Sequence, residues 1–154
     1  MSMKQQRGFT LLEVMIAVFV LAVGLLGMAH LQITSLKHNQ TAEFRTQAAL
    51  LAADMLDMMR ANRDAAQNGN YAIDIDAEPP SSTSDMADAD IVEWRNKLSQ
   101  YLPNGTGQIA CGAFNPNSEF ICDITIGWTE TQIDTDSSCE LGNNTSCFTL
   151  SGAI

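Results

Sequence analysis

The sequence predicts an α+β fold, in which one long N-terminal helix, apolar in its first half and amphipathic in its second, packs against a small antiparallel sheet. Three observations lead there. Residues 9–29 form an apolar run that holds a single charge, Glu13. From there to Arg63 the chain is rich in helix formers, with Gln47-Ala-Ala-Leu-Leu-Ala-Ala53 at the centre. The last third breaks into short strand-like segments between turn formers and contains all four cysteines. A length of 154 residues leaves room for one compact head beside the long helix. Four segments follow: a short leader over 1–8, a membrane-length helix over 9–30, its amphipathic continuation over 31–69, and an α+β head with disulfides over 70–154.

The leader is basic through Lys4 and Arg7. At about 1.5 Å per residue the apolar run reaches roughly 31 Å, enough to cross a hydrocarbon core of about 30 Å. A secretory signal has a shorter apolar region of about 7–15 residues, so the run reads as a retained transmembrane anchor. The first charge after it is Lys37, and positive charge before the span places the N-terminus in the cytoplasm and the head across the membrane. Glu13 is the exception in this segment. A carboxylate there costs up to a few kcal/mol and asks for a partner.

The second half of the helix carries Phe44, Ala48, Leu51, Met55 and Met58 or Met59 at helical spacing, while Glu43, Asp54, Asp57 and Arg60 fall off that stripe. The stripe is expected to hold the head, and Asn68-Gly69-Asn70 to stop the helix. Residues 71–90 are acidic and turn-rich, with Pro79-Pro80-Ser-Ser-Thr-Ser84 as a loop. Asp88 or Asp90 then caps a second helix from Ile91 to Leu102, ended by Pro103. Strands are expected at Gln108 to Cys111, at Phe120 to Trp128 with Phe120, Cys122, Ile124, Ile126 and Trp128 on one face, and from Cys147 to Leu150.

Cys111, Cys122, Cys139 and Cys147 form no CxxC pair, so they read as disulfide partners in an oxidising compartment and not as a zinc site. Three connectivities exist; nearness in sequence favours Cys111 with Cys122 and Cys139 with Cys147. The net charge is −10, and from Asn70 onward 13 acidic residues face only Arg95 and Lys97. Such a head repels nucleic acid, whose binding needs clustered Lys and Arg. The only histidines, His30 and His38, lie on the long helix, and no triad or glycine-rich phosphate loop is present. No enzymatic activity, cofactor or metal is expected. The Asp74-Ile-Asp76-Ala-Glu78 and Asp134-Thr-Asp136 clusters read as solvated acidic loops, since neither fits the twelve-residue calcium loop.

Gly8-Phe9-Thr10-Leu11-Leu12-Glu13 resembles the prepilin signal of type IV pilins and of type II secretion pseudopilins. The resemblance implies that prepilin peptidase cuts between Gly8 and Phe9, that the new Phe9 amine is methylated, and that Glu13 becomes the fifth mature residue. In a filament Glu13 would then neutralise the N-terminal amine of a neighbouring subunit and fix its register. The run from Arg45 to Arg63, with Gly24-Leu-Leu-Gly27-Met-Ala-His-Leu-Gln32, is similar to the PilV group of minor pilins. His30 stands at the mature position where many major pilins carry a proline. The implied role is a minor pilin that initiates pilus assembly near the tip and supports twitching motility and surface attachment. Implied partners are prepilin peptidase, other minor pilins, the major pilin, the assembly platform and a tip adhesin. The implied location is the bacterial inner membrane with a periplasmic head, then the extracellular pilus. A minor pseudopilin is the alternative that the same signal implies.

Overall fold

The computed structural model describes residues 10–113, 120–130 and 146–154. The elements are α1 (Leu11–Ala61), α2 (Arg63–Gln67), α3 (Met86–Tyr101), β1 (Thr106–Ala113), β2 (Phe120–Trp128) and β3 (Ser146–Ala153). The chain divides into two units at Gln40/Thr41, inside the stretch read as the amphipathic half of the helix.

In the first unit every large apolar side chain of α1 from Leu11 to Leu36 is exposed. This stretch is long and apolar enough to cross a membrane, and none of it is buried. So many exposed Leu, Val, Ile and Phe side chains form a surface suited to lipid or to other helices.

The second unit has the core. Residues 41–61 of α1 bury Ala48, Leu51, Ala52, Met55, Leu56 and Met59, with Phe44 and Met58 partly covered. This is the predicted stripe, widened by Ala52 and Leu56. The helix expected to continue through Arg63 instead ends at Ala61. Asn62 leaves helical geometry (φ −119°, ψ 53°), and its side-chain amide donates to the Tyr71 hydroxyl at 3.2 Å. After α2, the Gly69 N–H bonds the Ala66 carbonyl at 3.1 Å and the Asn70 N–H bonds the Ala65 carbonyl at 3.0 Å. These two bonds close the helix end with Gly69 at φ 81°, a conformation glycine adopts without steric cost.

The second helix begins at Met86, not Ile91, and its N-terminal flank is Asp85, whose side chain makes no capping bond. Asp88 and Asp90 therefore lie inside α3. Alanines at 87 and 89 favour the helical form, and acidic residues in a first turn suit the helix dipole. Ala87, Ile91, Trp94 and Leu98 form the buried face.

The sheet is antiparallel, in the order β1-β2-β3. β2 keeps the bounds and the facing expected: Cys122, Ile124, Ile126 and Trp128 are buried, and Phe120 is half-buried. β1 is longer than Gln108 to Cys111 because Gly107 and Gly112 extend the ladder without adding an apolar pattern. At Gly107 a Cβ would collide with the Trp94 ring, so the missing side chain lets the indole lie flush on the strand. The same indole donates to the Leu51 carbonyl of α1 at 3.0 Å. Trp94 thus ties α1, α3 and the sheet together. β3 extends past Leu150 to Ala153, where the Arg60 Nε donates to the Ala153 carbonyl at 3.2 Å and Leu56 fills the space left by Gly152. The result is the α+β plan predicted, a long helix packed on a small antiparallel sheet.

Candidate functional site

The start of α1 combines the features that the sequence reading singled out. Thr10 is the last residue before the helix. Its carbonyl accepts the N–H of Glu13 at 3.0 Å and of Val14 at 3.3 Å, and its Oγ1 accepts the Glu13 N–H at 3.3 Å. This is an N-cap: a threonine oxygen satisfies a backbone donor that the first helical turn leaves free. The pattern Thr10-Leu-Leu-Glu13 is a capping box by sequence. The box is legible in the sequence, although the apolar run after it is the stronger signal.

Glu13 stands in the first turn, where the helix dipole favours an anion. Among the described residues its carboxylate has no ion-pair partner. Around it Val14, Ala17, Val18 and Leu21 line a shallow, almost wholly apolar groove along one side of the helix. A carboxylate in such surroundings becomes costly once lipid or protein replaces water, unless a cation pairs with it. Gly24 and Gly27 lie further along the same helix, and a Cβ at either would meet nothing within 4 Å. Nothing among the described residues requires glycine there; the bare backbone leaves the helix open to close approach by a second one. At His30 the helix runs on without a break, and the Thr34 hydroxyl donates to the His30 carbonyl at 3.1 Å. Gly8 and Phe9 lie outside the described residues.

The cysteines divide. Cys111 and Cys122 are register partners on β1 and β2, with Cα atoms 4.1 Å apart, and form a disulfide. Cys147 is also disulfide-bonded. Cys139 lies outside the described residues, as do Asp134 and Asp136.

Tyr71, Lys97 and Arg95 make polar contacts within the head. Tyr71 is fully buried and donates to Asp90 at 2.6 Å; burial, and then this bond, raise its pKa to about 12. Lys97 joins Asp54 of α1 at 3.1 Å and Glu93 of its own helix at 3.0 Å, and both carboxylates raise its pKa. Arg95 reaches into the acidic loop, with Nη2 donating to the carbonyls of Asp74 at 2.9 Å, Ile75 at 3.2 Å and Ala77 at 3.0 Å, and Nη1 to Ile75 at 3.3 Å. Burial pulls its pKa down, and Asp76 opposes that pull. Carbonyls converging in this way resemble a cation site, and here the cation is the protein's own guanidinium. Among the described residues no cluster of His, Cys, Asp and Glu is arranged to hold a metal.

Comparison with curated proteins and with solved structures gave no match. Comparison with protein families matched residues 3–29 to the prokaryotic N-terminal methylation motif. The match covers the basic stretch from Met3, the Gly8-Phe9 junction, the Thr10 cap, Glu13 and both glycines of the apolar helix. The chain therefore carries, at the head of an exposed apolar helix, the signal found in type IV pilins and pseudopilins.

Proposed function

We propose that this protein is a minor type IV pilin, a non-enzymatic subunit that takes part in initiating pilus assembly near the tip, with downstream roles in twitching motility and surface attachment. The observation that carries the reading is the methylation motif seated on a helix whose apolar surface is entirely unburied, continuous in sequence with a helical half that holds a packed head. On this reading prepilin peptidase removes residues 1–8, and the Phe9 amine is methylated. The anchored subunit waits in the inner membrane with its head in the periplasm. It is then drawn into the filament by the assembly platform, beside other minor pilins and the major pilin and beneath a tip adhesin. Helix packing moves α1 from lipid to protein, and Glu13 selects the register in which it meets a neighbour's N-terminal amine. The mechanism is positional, and no residue is assigned a catalytic role. Disulfides fit a head that matures in the periplasm.

Intact mass of the membrane-extracted protein, with and without prepilin peptidase in the cells, tests the class. The expected species lacks residues 1–8, carries one methyl group on Phe9 and contains four oxidised cysteines. A full-length, unmethylated chain in the presence of active peptidase would overturn the reading. Deletion of the gene distinguishes the pilus from the secretion role: loss of surface pili with normal export supports the minor pilin, and the converse supports a minor pseudopilin.

A further inference from the structure

The groove on α1 joins two chemistries on one face. Glu13 stands at one end of it, and Val14, Ala17, Val18 and Leu21 line the rest. These positions recur at about one helical turn and so share a side of the helix. Ala17 is the smallest of them, set among Val14, Val18 and Leu21, each of which is half or more exposed. From Glu13 to Leu21 the groove runs for about 12 Å, close to the depth of one leaflet, which is half of a hydrocarbon core of about 30 Å. Once α1 is in a bilayer, the apolar part asks for hydrocarbon and the carboxylate asks for a cation.

A phospholipid with an ammonium headgroup brings both in one molecule. Its headgroup decides the fit, since any acyl chain covers the apolar part. The primary ammonium of ethanolamine is compact and carries three N–H donors, so it can make a charge-assisted hydrogen bond to a carboxylate. A choline ammonium is fully methylated and has no N–H to donate, and a glycerol headgroup brings no cation at all. A second copy of the helix fits less well. Packed in parallel it sets carboxylate against carboxylate, and among the described residues the first Lys or Arg of α1 is Lys37, about 36 Å further along the axis.

We propose that in the membrane-anchored state this face of α1 holds a phosphatidylethanolamine molecule, its ammonium on the Glu13 carboxylate and one acyl chain along Val14, Ala17, Val18 and Leu21. The lipid keeps the carboxylate paired until a cation of another subunit replaces it. The inference rests on the proposed reading only for the anchored state and uses nothing of the filament.

The test reconstitutes the full chain into vesicles of equal parts phosphatidylethanolamine, phosphatidylcholine and phosphatidylglycerol, and counts the lipids that it retains in native mass spectrometry. Phosphatidylethanolamine is expected to be retained over each of the others by about five-fold. Glu13→Gln is expected to bring that preference below about two-fold, Glu13→Asp to keep it, and Ala17→Phe, which fills the groove, to lower retention of all three lipids. Circular dichroism confirms that each variant keeps its helix. Equal retention of the three lipids by the parent, or an undiminished preference in Glu13→Gln, overturns the proposal. A Glu13-dependent dimer without lipid overturns it in favour of a second copy on this face. A parent chain that does not enter the vesicles overturns the anchored reading itself, so the two failures are distinct.

Discussion

A phenol enclosed by the head and bonded to a carboxylate resists ionisation, and the fold resists with it. Tyr71 is held neutral by burial first and by its bond to Asp90 second, with its pKa raised to about 12 from 10.0. The protonated form is the one the folded state favours. Its contribution is therefore complete below pH 10, where the unfolded phenol is also protonated, and is lost as pH rises towards 12. Two pKa units correspond to about 2.7 kcal/mol. In urea titrations followed by tryptophan fluorescence, Tyr71→Phe is expected to be less stable than the parent by about 1–2 kcal/mol at pH 8, because the Asp90 carboxylate loses a donor. The gap is expected to narrow between pH 10 and 11.5, where the parent alone must ionise this group to unfold. A gap that stays constant would mean that Tyr71 does not titrate in that window. None of this was legible in the sequence: Tyr71 read as the start of a loop, and its partners lie nine residues back and nineteen ahead.

At the scale of elements, legibility followed pattern strength. β2 was readable to the residue because five alternating apolar positions leave one register, and the stripe of α1 was readable for the same reason at helical period. β1 exceeds its expected bounds, since Gly107 and Gly112 carry no side-chain signal, and α3 starts before Ile91, its acidic first turn resembling the loop before it. The pairing of Ile73 with Ile109 and the clasp of Arg95 on the 74–77 loop use backbone carbonyls and amides, which have no signature in sequence. That clasp decides how the acidic segment is held. Arg95→Ala leaves the carbonyls of Asp74, Ile75 and Ala77 without this donor and is expected to destabilise the head by about 2–3 kcal/mol. Amide exchange at residues 73–78 is expected to accelerate. Arg95→Lys is expected to restore less than half of the loss, because one ammonium cannot span the carbonyls that a planar guanidinium reaches together. Full rescue by lysine would show that charge near Asp76, and not the fork of donors, holds the loop.

At the scale of the whole molecule, the two units divide the physics of the chain between them. The first exposes an apolar run from Leu11 to Leu36 with one carboxylate, Glu13, near its start, a surface suited to lipid or to other helices. The second contains every buried core residue among those described, from Ala48 to Ile154. Its ties are internal too: Trp94 to Leu51, Lys97 to Asp54, Arg60 to Ala153 and the Cys111–Cys122 disulfide all lie beyond Gln40. A chain reduced to residues 41–154 is therefore expected to fold without detergent as a soluble monomer, because it loses the exposed run from Leu11 to Leu36 and none of its core. Near-ultraviolet circular dichroism is the sensitive check, since Trp94 and Trp128 are both fully buried and report on packing, where the far-ultraviolet signal would report only on helix and strand. The spectrum should match that of the full chain in detergent, and the denaturation midpoint should agree to within about 0.5 kcal/mol of stability. A truncated chain that keeps its helix signal but loses the tryptophan bands would mean that residues before Thr41 contribute to the core. The head would then be a dependent part of the anchor instead of a domain carried by it.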